Sequence, residues 1–167
     1  FANWCAAPGD VNGDGYDDIA IGTKGDSTYI FYGGTTLDPE VDIALAGGTN
    51  GVVAGDFNGD GLLDLVTSCD LLNAVDSPQY SGLLRMYLRK AEPPFFGPAA
   101  DVTIRGDSSG HFGLRRNVDR PGMVALDYNG DGFRDLAIIA SDPRVIYLYK
   151  MVLFLGGAHF DTIPDGE

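Results

Sequence analysis

Residue types that often carry chemistry are scarce in this chain of 167 residues. It has only two cysteines, Cys5 and Cys69, and two histidines, His111 and His159. Two cysteines are too few for a disulfide scaffold, and without a Cys-x-x-Cys pair they do not predict a zinc site. A Cys5–Cys69 disulfide and two separate buried thiols are both compatible with the sequence.

The chain also lacks the short motifs that mark common catalytic sites. It contains no Gly-x-Ser-x-Gly elbow, no phosphate-binding P-loop and no His-Glu-x-x-His pair. Each histidine precedes a phenylalanine, and we interpret both as exposed residues or as residues packed between sheets. We therefore predict no catalytic residues and a protein that is not an enzyme.

Positive charge and long apolar runs are scarce as well. Lysine and arginine total 11 against 24 acidic residues, and Lys24 is the only basic residue before Arg85. With no basic excess to neutralise phosphates, a nucleic-acid partner is excluded. The longest apolar run, Val145–Leu155, contains Lys150 and is shorter than the ~20 residues of a membrane-spanning helix.

Two small basic clusters remain, one at Leu114–Pro121 and one formed by Arg85, Arg89 and Lys90. Either cluster would suit an acidic partner or a glycan. We favour the simpler interpretation, in which these residues pair with acidic loops of the same chain or lie on a solvated face.

The most informative feature is a nine-residue loop of the pattern Asp-x-Asn-Gly-Asp-Gly-x-x-Asp, which occurs three times. We call Asp10–Asp18 loop 1, Asp56–Asp64 loop 2 and Asp127–Asp135 loop 3. Oxygen-bearing side chains at positions 1, 3, 5 and 9, with glycines that permit a sharp turn, are what Ca2+ requires. The predicted side-chain ligands are Asp10, Asn12, Asp14, Asp18, Asp56, Asn58, Asp60, Asp64, Asp127, Asn129, Asp131 and Asp135. About three Ca2+ ions per chain follow.

The segments around each loop predict short antiparallel strands. An alternating stretch begins at the last aspartate of each loop, and small or apolar residues precede the loop. A second strand and a weaker outer strand follow in each unit. The predicted second strands are Thr28–Gly34, Gly82–Leu88 and Arg144–Lys150, and the outer strands are Val41–Leu45, Asp101–Arg105 and one that opens at His159–Ile163.

Repeated four-stranded antiparallel sheets of this size predict an all-β fold with about three propeller blades. We place the units at residues 1–46, 47–105 and 106–167 of a single module that covers 1–167. Closed propellers have 4–8 blades, so this set is either part of a longer propeller or is completed by oligomerisation. An open stack of three sheets is the alternative.

The segment from Gly9 to Gly22, continued by Tyr-Ile-Phe-Tyr-Gly-Gly at 29–34, resembles an FG-GAP repeat of the integrin α-subunit β-propeller. The Phe-Gly pair that names the family is present at Phe112-Gly113. The resemblance implies calcium ligation loop by loop, with a backbone carbonyl at position 7 from Tyr16, Leu62 and Phe133. These three side chains differ from one another, as expected where only the backbone is used.

Two other calcium-binding families share the first six residues of the loop. An EF-hand needs Glu at position 12, flanked by helices. Position 12 is Ile21, Thr67 or Ile138 here, each within a predicted strand. A dockerin continues from the loop into a helix, which the same strands argue against.

These features predict a secreted or cell-surface protein, because weak calcium sites of this kind fill at extracellular calcium concentrations. The leading interpretation is a non-enzymatic module for adhesion or assembly, with protein partners or with itself. A lectin-like glycan-binding propeller is the alternative. An accessory part of a polysaccharide lyase or phospholipase is a third interpretation.

Overall fold

The computed structural model describes residues 2–23, 27–36, 38–47, 51–70, 82–106, 111–112, 122–141 and 149–166. Within these ranges the regular secondary structure is β-strand, joined by bends and irregular segments, as the alternating patterns predicted. No helix in this part of the chain is long and apolar enough to cross a membrane.

The strands fall into three antiparallel sheets that follow one another along the chain. The first sheet contains β1 (Ala2–Gly9), β2 (Asp18–Thr23), β3 (Ser27–Phe31) and β4 (Ile43–Ala46). The second contains β5 (Gly51–Gly55), β6 (Asp64–Asp70), β7 (Gly82–Tyr87) and β8 (Val102–Arg105). The third contains β9 (His111–Phe112), β10 (Met123–Leu126), β11 (Asp135–Ser141) and β12 (Tyr149–Phe154).

Strand order follows chain order in the first two sheets, and β10, β11 and β12 follow it in the third. The first strands of the three sheets are neighbours, with β5 packed between β1 and β10. The sheets therefore meet along their first strands and carry their later strands outward. This arrangement is propeller-like and confirms the predicted all-β fold of repeated antiparallel sheets.

The third sheet differs from the other two in its innermost strand. The short strand β9 pairs with Ala140 and Ser141, while β10 pairs with residues 135–138 of the same strand, β11. Because β12 occupies the other edge of β11, β9 and β10 together take the place that β1 and β5 fill as single strands. The Phe-Gly pair at 112–113 thus begins within this split strand.

Alternation along the strands gives the middle sheet two buried faces. Leu65 and Tyr87 pack toward the first sheet in one apolar cluster, and both are fully buried. Val66 and Met86 point the opposite way and pack toward the third sheet in a second cluster. Each joint between sheets is therefore a continuous apolar layer, which is the main stabilising contact of the fold.

The predicted outer strand at His159–Ile163 is wrong. In that stretch the Ile163 amide donates to the side chain of Asp161, and this local turn replaces strand pairing. The chain meets the sheet again at Asp165 and Gly166, whose backbones both hydrogen-bond to Leu153. The side chain of Asp165 accepts a hydrogen bond from the Leu155 amide at 2.8 Å. In the same way, Asp42 accepts from Tyr32 just before β4, and Asp101 accepts from Leu88 just before β8.

Other strand limits also shift. The strand predicted at Arg144–Lys150 corresponds to β12, which runs from Tyr149 to Phe154 and so continues beyond Lys150. Residues 144–148 lie outside the described residues. In the first unit β3 ends at Phe31, because the Tyr32 amide turns to bond the Asp42 carboxylate at 2.7 Å.

Candidate calcium-binding loops

The three loops lie at the same end of neighbouring sheets, each between the first and second strands. Loop 3 contacts loop 2 directly, because the Arg134 amide donates to the Asp56 carbonyl at 3.0 Å. The amide of Gly157, beyond β12, donates to the carbonyl of Phe57 in loop 2 at 2.9 Å. Loop 2 therefore belongs to its own sheet and also to the joint with the third sheet.

Position 1 organises the first turn of each loop. The carboxylate of Asp10 accepts hydrogen bonds from the amides of Gly13, Asp14 and Gly15 at 2.6, 3.1 and 2.8 Å. Gly13 and Gly15 have φ values of 82° and 93°, where a side chain would be strained. The same three bonds recur at Asp56 and Asp127.

Positions 3 and 5 form the open part of the loop. In loop 1 the Asn12 Oδ1 accepts from the Asp14 amide at 3.0 Å, and the Asp14 Oδ1 accepts from the Tyr16 amide at 2.9 Å. The Asn12 side-chain amide donates to the second carboxylate oxygen of Asp14 at 2.9 Å. Asp14 is exposed, as are its counterparts in loops 2 and 3, so these oxygens face solvent.

Position 9 has a different environment, because its carboxylate is fully buried in all three loops. Asp18 Oδ2 accepts from the Val11 amide at 2.7 Å, and its Oδ1 accepts from the Gly33 amide at 2.8 Å. Asp64 and Asp135 repeat both bonds. The last aspartate thus ties the start of the loop to the end of the sheet's third strand.

The charges of a loop act on one another. The pKa of Asp64 is raised to about 6, mainly by burial and in smaller part by the nearby carboxylates of Asp60 and Asp56. Hydrogen bonds from the Arg89 and Phe57 amides act in the opposite direction and lower this pKa. Burial likewise raises the pKa of Asp18. For Asp10, partial desolvation is outweighed by its amide hydrogen bonds, so its pKa is lowered. A cation among these carboxylates would relieve their mutual repulsion.

The predicted ligands fit Ca2+ in donor chemistry, since all twelve side chains carry oxygen. Each carboxylate oxygen offers about two acceptor directions, so the amide bonds leave capacity for a cation. Among the described residues, no group of three His, Cys, Asp or Glu side chains is placed to hold a metal ion as it stands. A cation that used positions 1, 5 and 9 together would have to draw these carboxylates closer.

Other residues singled out from the sequence are not gathered into a site. Cys5 is an exposed, free thiol, so neither the Cys5–Cys69 disulfide nor the alternative of a buried Cys5 is realised. His159 is exposed, and the side chain of His111 lies outside the described residues, as do residues 114–121 of the first basic cluster. Arg89 of the second cluster reaches loop 1, which supports its interpretation as a partner of an acidic loop.

Sequence comparison identifies the repeat. Residues 10–67 match the family model of the FG-GAP-like repeat, which spans loop 1, most of the first sheet, loop 2 and the start of β6. The chain therefore carries an FG-GAP-like repeat, as its loop and strand residues predicted.

Two curated relatives extend over more of the chain. It is 26% identical over 159 residues to a phosphatidylinositol-glycan-specific phospholipase D of Bos taurus, and 29% identical over 161 residues to the protein of that name from Rattus norvegicus. Each comparison covers 81% of this chain and 18% of the relative. The chain thus spans less than a fifth of the length of the relatives it matches.

Proposed function

We propose that this chain is a non-enzymatic, calcium-binding, extracellular interaction module that assembles with protein partners through the two outer faces of its stack of sheets. The partner to which we commit is a second copy of the chain. The supporting observation is that both outer faces repeat the faces already joined inside the molecule, yet carry apolar side chains that are about half exposed, such as Ile19 and Met151.

The face of the first sheet that points away from the second is the N-side face. Its Ile19 and Phe31 are paired neighbours on β2 and β3, as Leu65 and Tyr87 are on β6 and β7. Leu65 is fully buried against the first sheet, whereas Ile19 is 48% exposed. The N-side face therefore presents, about half exposed at Ile19, residues that correspond to those by which the second sheet joins its neighbour.

The opposite outer face, on the third sheet, is the C-side face. Ile139 and Met151 are paired there as Ser68 and Leu84 are in the second sheet. Leu84 is 3% exposed because it packs toward the third sheet, whereas Met151 is 52% exposed. Val124 adds to this apolar surface. Exposed apolar side chains grouped on one face in this way are typical of an interaction site.

Because the two faces correspond to the two halves of the internal joint, the C-side face of one copy fits the N-side face of another. Contact between unlike faces is heterologous, and it forms a ring when the rotation closes. Two copies would give six sheets, within the 4–8 blades of closed propellers.

Calcium has a stabilising role in this proposal. Each loop would bind one ion through the side chains at positions 1, 3, 5 and 9 and the carbonyl of position 7. The bound ion would stabilise the turn that lies at the joint between sheets. Binding to the folded state alone adds about 3 kcal/mol of stability at a hundredfold excess of calcium over Kd. The extracellular location follows from the weak, millimolar affinities common to such modules.

The test is the oligomeric state by analytical ultracentrifugation and native mass spectrometry, with calcium and with chelator. We expect a calcium-loaded dimer or larger assembly that is weakened by chelation. Ile19→Asp and Met151→Asp should each be monomeric alone but form a 1:1 dimer when mixed, since each retains the face that the other needs. Val41→Asp, at a comparably exposed residue outside the strands, is the control.

Two results would overturn the proposal. A wild-type chain that stays monomeric at high concentration would refute assembly with a second copy. Self-association of either single variant would show contact between like faces and would refute the unlike-face geometry. Absence of calcium binding would refute the metal role separately.

The named relatives favour a second candidate, an accessory part of a phosphatidylinositol-glycan-specific phospholipase. In that role the module would pack against a separate catalytic part and carry no chemistry itself. The distinguishing assay is hydrolysis of a glycosylphosphatidylinositol-anchored protein. Turnover by this chain alone would overturn the non-enzymatic proposal, whereas stimulation of a catalytic domain supplied separately would support the second candidate.

A further inference from the structure

Arg89 departs from the repeat at a position that is glycine in the other two units. The amides of Gly33, Arg89 and Gly156 each donate to the position-9 aspartate of their own loop, at 2.8, 2.9 and 2.8 Å. A Cβ at Gly33 or Gly156 would overlap the backbone carbonyl oxygen at position 8 of the loop in the same unit. The second unit accommodates a long cationic side chain at this point.

That side chain extends across the joint to the preceding unit. The Nη2 of Arg89 donates to the carbonyl of Asn12, at position 3 of loop 1. Its Cζ lies 5.1 Å from the ring centroid of Phe95, a cation–π contact that holds the guanidinium in place. The charge also helps to lower the pKa of Asp10, behind the effects of the amide hydrogen bonds.

The three loops, which are alike in their internal hydrogen bonds, therefore differ in what covers position 4. At Gly13 of loop 1 the nearest atom is Nη2 of Arg89, 2.7 Å from an added Cβ. At Gly59 of loop 2 it is the ring of Phe133, and at Gly130 of loop 3 nothing lies within 4 Å. Among the described residues, loop 1 is therefore the loop whose position-4 glycine lies against a cationic side chain.

We propose that Arg89 makes loop 1 the weakest of the three calcium sites while holding that loop in place when it is empty. A fixed cation repels an incoming Ca2+ and already neutralises part of the carboxylate charge that would attract it. At position 4 of the other two loops the described surroundings are an aromatic ring and open space, neither of which opposes an incoming cation. This inference rests on the proposed calcium binding and adds an order of filling, in which loops 2 and 3 fill before loop 1.

One unit charge several Å from a divalent ion in a largely solvated setting changes Kd by about tenfold. Arg89→Gln should therefore tighten loop 1 about tenfold. Arg89→Lys keeps the charge and should bind calcium as weakly as the wild type. Arg105→Gln removes an exposed arginine from the same sheet at the opposite end of β7, and should leave all three sites unchanged.

The readout is terbium luminescence with tyrosine excitation, alongside calcium titration by calorimetry. Tyr16 is position 7 of loop 1, so emission lost in Tyr16→Phe reports that loop. Tyr128 of loop 3 is replaced by Phe throughout to remove its signal. With Arg89 present, we expect the loop 1 terbium signal to appear only at ion concentrations above those at which calorimetry shows two tighter sites to be filled. In Arg89→Gln the loop 1 signal should appear at about tenfold lower ion concentration.

The possible failures are distinct. If no loop binds calcium or terbium, the proposed function fails. If loops 2 and 3 bind as in the wild type but the loop 1 midpoint is unchanged or weaker in Arg89→Gln, only the role of Arg89 is refuted. Unchanged affinities at loops 2 and 3 also show that the variant is folded.

Discussion

The buried position-9 aspartates should stabilise the fold even without calcium, and the second loop allows a direct test. Asp64 is fully buried and accepts from the amides of Phe57 and Arg89 at 3.2 and 2.9 Å. In Asp64→Ala both donors lose their partner. A buried donor left unsatisfied costs about 1–3 kcal/mol, and this applies to the Phe57 amide; the Arg89 amide is only part-buried and adds less, so the predicted loss is about 1–3 kcal/mol.

The matched control is Asp60→Ala at position 5 of the same loop. Asp60 is exposed and accepts from the Leu62 amide and the Asn58 side chain, and water can replace it at both. Its loss should cost less than about 1 kcal/mol in chelator. In saturating calcium both variants should lose further stability, because each removes a predicted ligand of loop 2 and with it the stabilisation that ion binding adds, so Asp64→Ala remains the more costly change.

The assay is urea unfolding followed by tryptophan fluorescence and circular dichroism, in chelator and in calcium. The reasoning is refuted if Asp64→Ala costs less than about 1 kcal/mol in chelator, or if the two variants lose equal stability there, since the expected difference comes from burial alone. A cost for Asp64→Ala that appears only in calcium would show that position 9 acts through the metal.

Three further outcomes are expected. Gly156→Ala should lower the free energy of unfolding by about 1–3 kcal/mol in urea, because the new Cβ would overlap the Arg134 carbonyl oxygen. The control is Gly157→Ala, which has open space around the new Cβ and should be within about 0.5 kcal/mol of the wild type. Tyr87→Phe should cost about 1 kcal/mol in the same assay, since its hydroxyl donates to the Ala46 carbonyl of the first sheet at 2.6 Å. Chelation should lower the thermal midpoint, and readdition of calcium, but not of magnesium, should restore it.

The all-β fold and the positions of the loops could be predicted because they depend on local patterns. Glycines at positions 4 and 6 and oxygens at alternating positions define a turn within nine residues, and the strand after it alternates. Strand limits were less predictable where the pattern is uniform. In the run Val145–Leu155 both faces of a strand would be apolar, so alternation gives no register there.

Features that depend on contacts between units were outside the reach of the sequence. Spacing alone gives the position-9 aspartates as ligands and does not reveal that they are buried anchors. The side chain of Arg89 contacts a loop 77 residues away in sequence, and only the fold brings them together. One signal was available, because the other two units have Gly-Gly where this unit has Arg89-Lys90.

Similarly, an aspartate stands just before the segment that pairs with the third strand in each unit; these are Asp42, Asp101 and Asp165. Each accepts a hydrogen bond from an amide just beyond the third strand, at 2.7, 2.9 and 2.8 Å. In the last unit only two residues follow Asp165, too few to show strand periodicity. The aspartate itself was the better marker, since it caps the strand whether or not the strand continues.

The internal joint also has a consequence for how such chains change over generations. Every unit carries both halves of the joint, one on each face of its sheet. A copying error in the gene that adds or removes a whole unit therefore creates neighbours that already fit, without compensating substitutions in the core. Idiosyncratic contacts such as Arg89 on loop 1 are the exception, since they fix which unit must precede which.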